Sequence, residues 1–335
     1  MTAHHDYPLY LAPMEDVSDP DFRLLCKRFG ADRVYTEFIN ADALIRDVQS
    51  TIRKMQISDA ERPVAIQIYG SNIDSLAQAA RIVESAQPDY IDINCGCPVK
   101  KIASKGAGAG LLSDIPKLLK IVSSVVHAVT TPVTVKTRLG WDEADIHSSR
   151  LRPIPNNTPL ILDLAPALQD CGIAELTIHG RTKSQMYTGN ANWELIEQVK
   201  NNPKIHIPII GNGDVTSPTI ARQRFSHTNV DAIMIGRASW GCPWVFEDLN
   251  NHLLNNQPIV RTLQWACQVF KEYITAVINR LGDERKGILH CRRHLAHTPV
   301  FKGLPDFRNT KIALLRTESK TELFDLLDKI ALQYD

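Results

Sequence analysis

The stretch Asp89–Leu112 reads DYIDINCGCPVKKIASKGAGAGLL and joins a strand-like segment to a loop rich in glycine. Apolar and polar residues alternate as far as Asn94, which is typical of a β-strand. Cys95 and Cys97 then flank one glycine, Pro98 stops the strand, and three more glycines follow. The pattern predicts a strand whose end carries chemically useful side chains.

Similar runs recur along the first 240 residues or so, and a helical pattern follows seven of the eight. The eight runs are residues 8–13, 33–38, 64–70, 90–96, 133–140, 175–181, 207–214 and 232–238. Eight such units have the length and rhythm of a (β/α)8 TIM barrel. A doubly wound open sheet shows the same alternation, but the strand count and even spacing favour the barrel.

After Pro243 the strand rhythm stops, and residues 262–282 form a long amphipathic pattern that ends at Gly282. We therefore expect a barrel domain over residues 1–245 and a smaller all-helical domain over residues 246–335. The proline-rich segment 147–159 is expected to be a loop inserted after the fifth barrel strand.

Charge is distributed unevenly along the chain. Net charge is −3 over residues 1–250 and +4 over residues 251–335, and basic residues outnumber acidic ones by 10 to 4 within Arg280–Lys320. Such a segment is either a solvated helix face or a surface that contacts a polyanion. No apolar run has the length of a membrane span, and no secretory signal pattern opens the chain, so we expect a cytoplasmic protein.

The closely spaced cysteines admit three explanations: a metal clip, a disulfide or a reactive thiol. Zinc sites use two paired clusters, and only one close pair exists here. A disulfide between Cys95 and Cys97 would be strained, and cytoplasmic thiols stay reduced. The third explanation is therefore favoured, and no metal is expected.

In a TIM barrel the catalytic groups lie where the strands end. The predicted strand ends carry Ala12-Pro13-Met14, Glu37, Gln67, Asn94 with Cys97, Lys136 with Arg138, His179 with Arg181, Asn212-Gly213-Asp214 and Gly236-Arg237. The last two groups are either ordinary strand-ending turns or a phosphate site of backbone N–H groups and a guanidinium. Lys136 either reaches solvent at the rim or meets an electron-rich partner such as reduced flavin.

Seven motifs between residues 8 and 240 resemble the tRNA-dihydrouridine synthases, which are flavin enzymes that reduce uridines in the D-loop of tRNA. The motifs are APMEDVSDPDFR (12–23), IQIYG (66–70), IDINCGCPVKK (91–101), VKTRLGW (135–141), IHGRT (178–182), IGNGD (210–214) and MIGRA (234–238). Residues 292–308 are similar, more loosely, to the helical C-terminal domain of this family.

The resemblance implies tightly bound FMN over the barrel mouth, with NADPH as the electron donor. The residues it assigns to the cofactor are Pro13, Met14, Glu15, Gln67, Lys136, His179, Asn212, Gly213, Asp214, Gly236 and Arg237. The residues expected to contact tRNA are Asn94, Lys100, Arg138, Arg181, Arg292 and Arg293. Further basic residues of the C-terminal segment, Lys302, Arg308 and Lys311, would help to grip the tRNA backbone.

In the family motif N-x-G-C-P the cysteine before the proline donates a proton, and that residue is Cys97. Cys95 falls on the variable position and is expected only to pack. Saturating the C5–C6 bond of uracil needs a hydride at C6 and a proton at C5, which a protonated thiol can supply. The glycines, with Lys100, Lys101 and Lys105, are expected to form a mobile loop that closes over the substrate.

Two other functions share part of this pattern. A flavin barrel that reduces a free pyrimidine or another small enone needs the cysteine but no basic helical tail. A non-catalytic RNA-binding module needs the tail but no flavin. We expect a monomeric enzyme that turns its target uridine out of the base stack.

Overall fold

The structure is a computed structural model that describes residues 6–151 and 157–334. Its strands are β1 Leu9–Leu11, β2 Val34–Tyr35, β3 Ile39–Asn40, β4 Val64–Tyr69, β5 Tyr90–Cys95, β6 Val133–Arg138, β7 Glu175–His179, β8 Ile209–Asn212 and β9 Ala232–Ile235. Its helices are α1 Pro20–Arg28, α2 Ala41–Leu44, α3 Gln49–Arg53, α4 Ile73–Glu84, α5 Lys100–Ala103, α6 Ile115–Ala128, α7 Ala144–His147, α8 Leu160–Asp170, α9 Trp193–Lys200, α10 Pro218–Thr228, α11 Val245–Leu253, α12 Leu263–Leu281, α13 Glu284–His297, α14 Phe307–Arg316 and α15 Lys320–Tyr334.

The strands form a parallel sheet that curls into a nearly closed barrel. Neighbouring strands follow the order β1-β9-β8-β7-β6-β5-β4-β2, and β3 also pairs with β4. A parallel bridge between Tyr10 and Arg33 brings the two ends of this order together. The (β/α)8 prediction is confirmed, and the open sheet is excluded by this closure. Within the predicted strand 33–38 the structure has only β2 at Val34–Tyr35, and a second short strand, β3, follows just beyond it at Ile39–Asn40.

Two apolar layers separate the inside of the barrel from its outside. A small inner cluster contains Tyr35, Ala65, Ile210 and Met234, whereas the large outer cluster lies between the strands and the helices. Because side chains two residues apart share one face of a strand, Gln67 continues the inner row that begins at Ala65. Polar side chains that continue the inner rows at the strand ends therefore face the barrel mouth.

The chain after the barrel is helical, as predicted, and it shares one continuous core with the barrel. The predicted boundary at residues 245 and 246 falls at the first turn of α11, which packs against α10 as a barrel helix. We propose that residues 254–262 link the two parts instead. No helix in the described part of the chain is long and apolar enough to cross a membrane.

The helical part is fixed to the barrel at Asp19, the N-cap residue of α1. Its buried carboxylate accepts a hydrogen bond from Tyr273 Oη at 2.6 Å and contacts His290 Nε2 at 3.0 Å. Arg280 forms ion pairs with both Asp19 and Asp21. These contacts hold α12 and α13 beside the loop that follows β1.

The predicted loop 147–159 lies between α7 and α8, and its residues 152–156 lie outside the described residues. Arg150, just before that gap, pairs with Asp145 and donates a hydrogen bond to the Leu112 carbonyl. The start of the insertion is thereby tied to the loop after β5.

Candidate active site

Cys97 lies in the loop that follows β5, and its backbone is held by Asn94. The Oδ1 atom of Asn94 accepts hydrogen bonds from the N–H groups of Gly96 at 3.0 Å and Cys97 at 2.9 Å. Cys97 is partly buried, and burial raises the pKa of its thiol, with the Val99 N–H opposing the shift. The thiol therefore stays protonated at neutral pH, as a proton donor requires.

Cys95 lies in a different environment, as expected of a packing residue. It is completely buried within the outer apolar layer, between strand and helices. Burial raises the pKa of its thiol well above the usual range. A thiol with no access to the mouth cannot reach a substrate there.

The Asn94 side chain is itself held by buried neighbours. Its Nδ2 donates to Gln67 Oε1 at 2.8 Å, and Gln67 Nε2 donates to the carboxylate of Asp92 at 2.6 Å. Thr134 Oγ1 donates to the second oxygen of that carboxylate at 2.5 Å. Asn94 and Gln67, predicted to contact tRNA and cofactor, are thus joined in one hydrogen-bonded row.

Lys136 lies on β6 with its ammonium group inside the mouth. Its Nζ donates to Asn212 Oδ1 at 3.1 Å, and Asn212 Nδ2 donates to the Met234 carbonyl. Burial, and then the nearby Arg138, lowers the pKa of Lys136 to about 8, so the group is mostly charged at neutral pH. An ammonium has three N–H donors, and one acceptor is found for them among the described residues. The remaining donors are available to a ligand.

Asp214 organises the opposite side of the mouth. Its carboxylate accepts hydrogen bonds from Arg181 at 2.9 and 2.7 Å and from Arg237 at 2.8 Å. The Ala191 N–H donates to it as well. His179 lies next to Arg181. Burial lowers the pKa of the His179 imidazole far below its usual range, and the positive charge of Lys136 lowers it further. The His179 imidazole is therefore neutral and can accept or donate one hydrogen bond.

The two arginines predicted to hold tRNA are buried and engaged by the protein. Arg181 is 2% exposed, and its three nitrogens reach Asp214 and the carbonyls of Thr188 and Gly189. Arg138 is equally buried and donates to the carbonyls of Gly96, Thr182 and Met186. The geometry does not favour the predicted contact between Arg181 and tRNA. Arg138 keeps one terminal nitrogen, Nη2, without a protein acceptor among the described residues.

The loop after β1 carries the predicted cofactor turn Pro13-Met14-Glu15. Met14 lies near the turn after β9, since a Cβ added to Gly236 would be 3.8 Å from its sulfur. Glu15 instead pairs with Lys54, which also contacts Glu37. Oxygen atoms of Glu15, Asp16 and Glu37 lie within 4.8 Å of one another, and Arg293 pairs with Asp16 as Lys54 does with the two glutamates.

Two of the three glycines after Cys97, Gly108 and Gly110, lie in a packed segment where the sequence predicts a mobile loop that closes over the substrate. Residues Gly108–Ser113 form a short 3-10 helix whose first five residues are buried. A Cβ on Gly110 would lie 2.3 Å from the Ala103 carbonyl oxygen, and one on Gly108 would lie 3.0 Å from the Cys97 carbonyl oxygen. These glycines allow close packing beneath Cys97. Lys100, Lys101 and Lys105 are exposed beside them.

Part of the predicted basic surface is tied to the protein itself. Arg293 pairs with Asp16 in the loop after β1 and donates to its carbonyl. Arg292 donates to the carbonyls of Arg316 and Thr317. Lys302 and Arg308 are exposed, and no ion pair involves them in the described ranges.

Two residues of this site have no counterpart among the sequence predictions. For Asp92 the sequence offers no sign of a functional role beyond its position two residues before Asn94 on the same strand. Tyr187 is 52% exposed at the mouth, and its ring lies 5.7 Å from the guanidinium of Arg138 and 5.0 Å from that of Arg237. An aromatic residue five positions after the IHGRT motif (178–182) is the signal that the sequence contained.

Comparisons with known proteins show which family the chain resembles. The family model described as Dihydrouridine synthase (Dus) matches residues 10–333. The chain is 35% identical over 321 residues to tRNA-dihydrouridine synthase B of Shewanella oneidensis, covering 96% of this chain and 94% of that one. It is 42% identical over 286 residues to tRNA-dihydrouridine synthase B of Xanthomonas campestris pv. campestris, covering 85% and 81%.

Among solved structures, morphinone reductase in complex with tetrahydroNAD has a similar fold. The TM-score is 0.50 at 14% sequence identity, and the match covers 75% of this chain and 87% of that chain. At this identity the likeness concerns the barrel fold alone.

Proposed function

The chain belongs to the dihydrouridine synthase family, and we propose that it is a tRNA-dihydrouridine synthase that uses FMN to reduce a D-loop uridine. The observation that carries the proposal is the partly buried, protonated Cys97, anchored by Asn94 at the mouth of a barrel lined by Lys136, His179 and Asn212. We also propose NADPH as reductant and the cytoplasm as location, on the family resemblance alone.

The residues at the mouth fit FMN. The N–H groups of Gly213, Gly236 and Arg237 have no acceptor within the described ranges, and the Arg237 side chain is half exposed beside them. Backbone N–H groups and a guanidinium are the donors that a terminal phosphate requires. The turn containing Met14 lies next to Gly236, where it can support one end of a planar ring.

Bound FMN would supply the hydride for C6 of the uracil. Lys136 would hold its positive charge against the electron-rich edge of the ring, because its ammonium keeps donors that the protein does not use. Gln67 and His179 would lie around the same ring. Asp214 would act indirectly, by fixing the guanidinium groups of Arg181 and Arg237.

Cys97 would hold the proton at Sγ and deliver it to C5 from the face opposite the hydride. Burial of the thiol favours the protonated form before the reaction. The Asn94 hydrogen bonds fix the loop, so the sulfur does not have to be positioned anew in each turnover. Nη2 of Arg138 would contact the uracil from the side.

A tRNA substrate is supported by the surface around the mouth. Lys100, Lys101 and Lys105 are exposed next to Cys97, and Tyr187 offers a face on which a base beside the target uridine could stack. Lys302 and Arg308 would contact the tRNA backbone from the helical part. Arg292 and Arg293 would act mainly by orienting that part, since their guanidinium groups are engaged internally.

The test compares purified protein on unmodified tRNA and on free uridine, with FMN and NADPH present. We expect a yellow protein that forms dihydrouridine in tRNA, located by mass spectrometry, and that leaves free uridine almost unchanged. Reduction of free uridine alone would remove tRNA as the substrate. A colourless protein that takes up no added FMN would overturn the enzyme assignment.

A further inference from the structure

Asp92 is a buried carboxylate that the proposed chemistry does not use. It lies in the middle of β5, is 0% exposed, and faces the interior of the barrel below the mouth. Its two oxygens are occupied separately, one by Gln67 Nε2 at 2.6 Å and one by Thr134 Oγ1 at 2.5 Å. Burying a carboxylate costs free energy, and these hydrogen bonds offset part of that cost.

The hydrogen bonds continue from Asp92 to Cys97 without interruption. Gln67 accepts from Asn94 at 2.8 Å, and Asn94 accepts from the N–H groups of Gly96 and Cys97 at 3.0 and 2.9 Å. Gln67 and Asn94 are both buried. The row therefore connects a fixed charge in the barrel interior to the backbone of the proposed proton donor.

The direction of this row follows from the chemistry of its first member. An ionised carboxylate can only accept hydrogen bonds, so Gln67 must turn its NH2 group toward Asp92 and its oxygen toward Asn94. Asn94 must then point its own oxygen at the loop. The reverse orientation would set the Asn94 NH2 group against two N–H donors, which would leave both unsatisfied.

Burial raises the pKa of Asp92 to about 6, although bonds from Gln67 and Thr134 and the charges of Lys136 and Arg33 oppose it. The carboxylate is therefore ionised at neutral pH, which the direction of the row requires. Lys136 provides an alternative explanation, because Asp92 could serve only as its counter-charge. The two explanations differ in whether the acceptor atoms or the charge matter.

We propose that Asp92 is a positioning residue, which fixes the orientation of Gln67 and Asn94 and through them the loop that carries Cys97. The proposal rests on the proposed function for the role of Cys97 as the acid. It concerns this chain's own hydrogen bonds, so it can be tested separately from activity on tRNA.

The decisive variant is Asp92→Val, which removes both acceptors and suits a buried strand. We expect iodoacetamide to alkylate Cys97 about tenfold faster than in the wild type, because a loop that loses roughly 1.4 kcal/mol of anchoring opens about tenfold more often. Mass spectrometry of the proteolytic peptides assigns the label to Cys97 rather than to another of the seven cysteines. For tRNA, kcat should fall about tenfold while KM changes less than about twofold.

Asp92→Asn separates the two explanations. Its carbonyl can accept from Gln67 while its NH2 group donates to the Thr134 hydroxyl, so the row keeps its direction without the charge. We expect alkylation and kcat close to the wild type. A variant as defective as Asp92→Val would overturn the proposal and support the counter-charge role.

Thr177→Val is the matched control, since Thr177 is also buried on a barrel strand, β7, two strands away from Asp92, and lies outside the row. It should leave Cys97 alkylation unchanged. Wild-type alkylation in a folded Asp92→Val protein would overturn the proposal while leaving the proposed function intact. If Asp92→Val does not fold, Asp92→Leu carries the same test. If Asp92→Val changes the alkylation of Cys97 but the wild-type protein is inactive on tRNA, the result counts against the proposed function alone.

Discussion

At the scale of single residues, two thiols separated by one glycine have opposite environments. Cys95 ends β5 with its side chain in the outer apolar layer, and Cys97 lies beyond the strand in the mouth. The alternation of a strand explains why the first faces the helices, and the loop geometry explains why the second does not. Of these two thiols, only that of Cys97 is therefore placed to reach a substrate in the mouth.

The first prediction concerns this pair. Cys97→Ala should lower dihydrouridine formation at least about 100-fold, the loss expected for a general acid, and should keep bound FMN. Cys95→Ala should keep most activity, since the side chain only packs. Quantitative mass spectrometry of tRNA gives the activity, and visible absorption gives the flavin content. Loss of activity in the Cys95 variant, with an active Cys97 variant, would reverse the assignment.

A second prediction concerns the stability cost of Asp92. Its pKa is about 6 when folded and 3.8 ordinarily, so the folded protein retains this proton between those values and loses stability as the pH rises through them. Asp92→Asn, which cannot ionise, should be more stable than the wild type by up to about 3 kcal/mol above pH 6, from 1.36 kcal/mol per pKa unit.

Urea unfolding of both proteins at pH 4 and pH 7 measures this difference. The gap between them should be larger at pH 7. A gap that shrinks toward pH 7 would contradict the assigned direction of the pKa shift.

At the scale of elements, the segment after Cys97 depends on glycine for contact rather than for motion. The 3-10 helix Gly108–Ser113 packs so closely on α5 that a methyl group at Gly110 has no space. The glycines are evident in the sequence, but the sequence does not distinguish a flexible loop from a tightly packed one, because glycine is typical of both.

The third prediction is that Gly110→Ala destabilises the protein by roughly 2 kcal/mol and disturbs the Cys97 loop, since the Cβ would overlap the Ala103 carbonyl. Gly189→Ala is the control: Gly189 has a φ of 64° but nothing within 4 Å of an added Cβ, so only about 1 kcal/mol of backbone strain is expected. Chemical denaturation measures both. Equal effects would show that packing beneath Cys97 is not tight.

At the scale of the whole molecule, the helical part is oriented by buried charge on the loop after β1. Asp19 caps α1, and its carboxylate also forms hydrogen bonds with Tyr273, Arg280 and His290. Although burial opposes it, the bonds from His290 and Tyr273 hold the pKa of Asp19 well below its usual range. One carboxylate thus links the turn proposed to bind the cofactor to the helices proposed to orient tRNA.

The fourth prediction is that Asp19→Asn keeps the helix cap but loses about 3 kcal/mol of stability near pH 7, because Tyr273, Arg280 and His290 lose the buried carboxylate that they contact. The lowered pKa adds stability above the ordinary carboxyl range, so the difference from wild type should shrink as the pH falls through about 4. Asp283→Asn, the same change at an exposed cap of α13, should leave the unfolding midpoint nearly unchanged. An equal effect of both variants would remove the interface role.

The barrel, the helical tail and the family could be predicted from the sequence alone, because strand periodicity and closely spaced motifs are local properties of the chain. The same motifs single out Cys97 as the proposed acid. What the polar residues contact depends on the folded chain. Arg181 and Arg293 carry the positive charge that a tRNA contact needs. However, Arg181 is paired with Asp214 and Arg293 with Asp16, and both partners are distant in sequence. Tertiary structure also brought Asp92, Gln67 and Asn94 into one row, since hydrogen bonds between neighbouring strands depend on register and closure rather than on the order of residues.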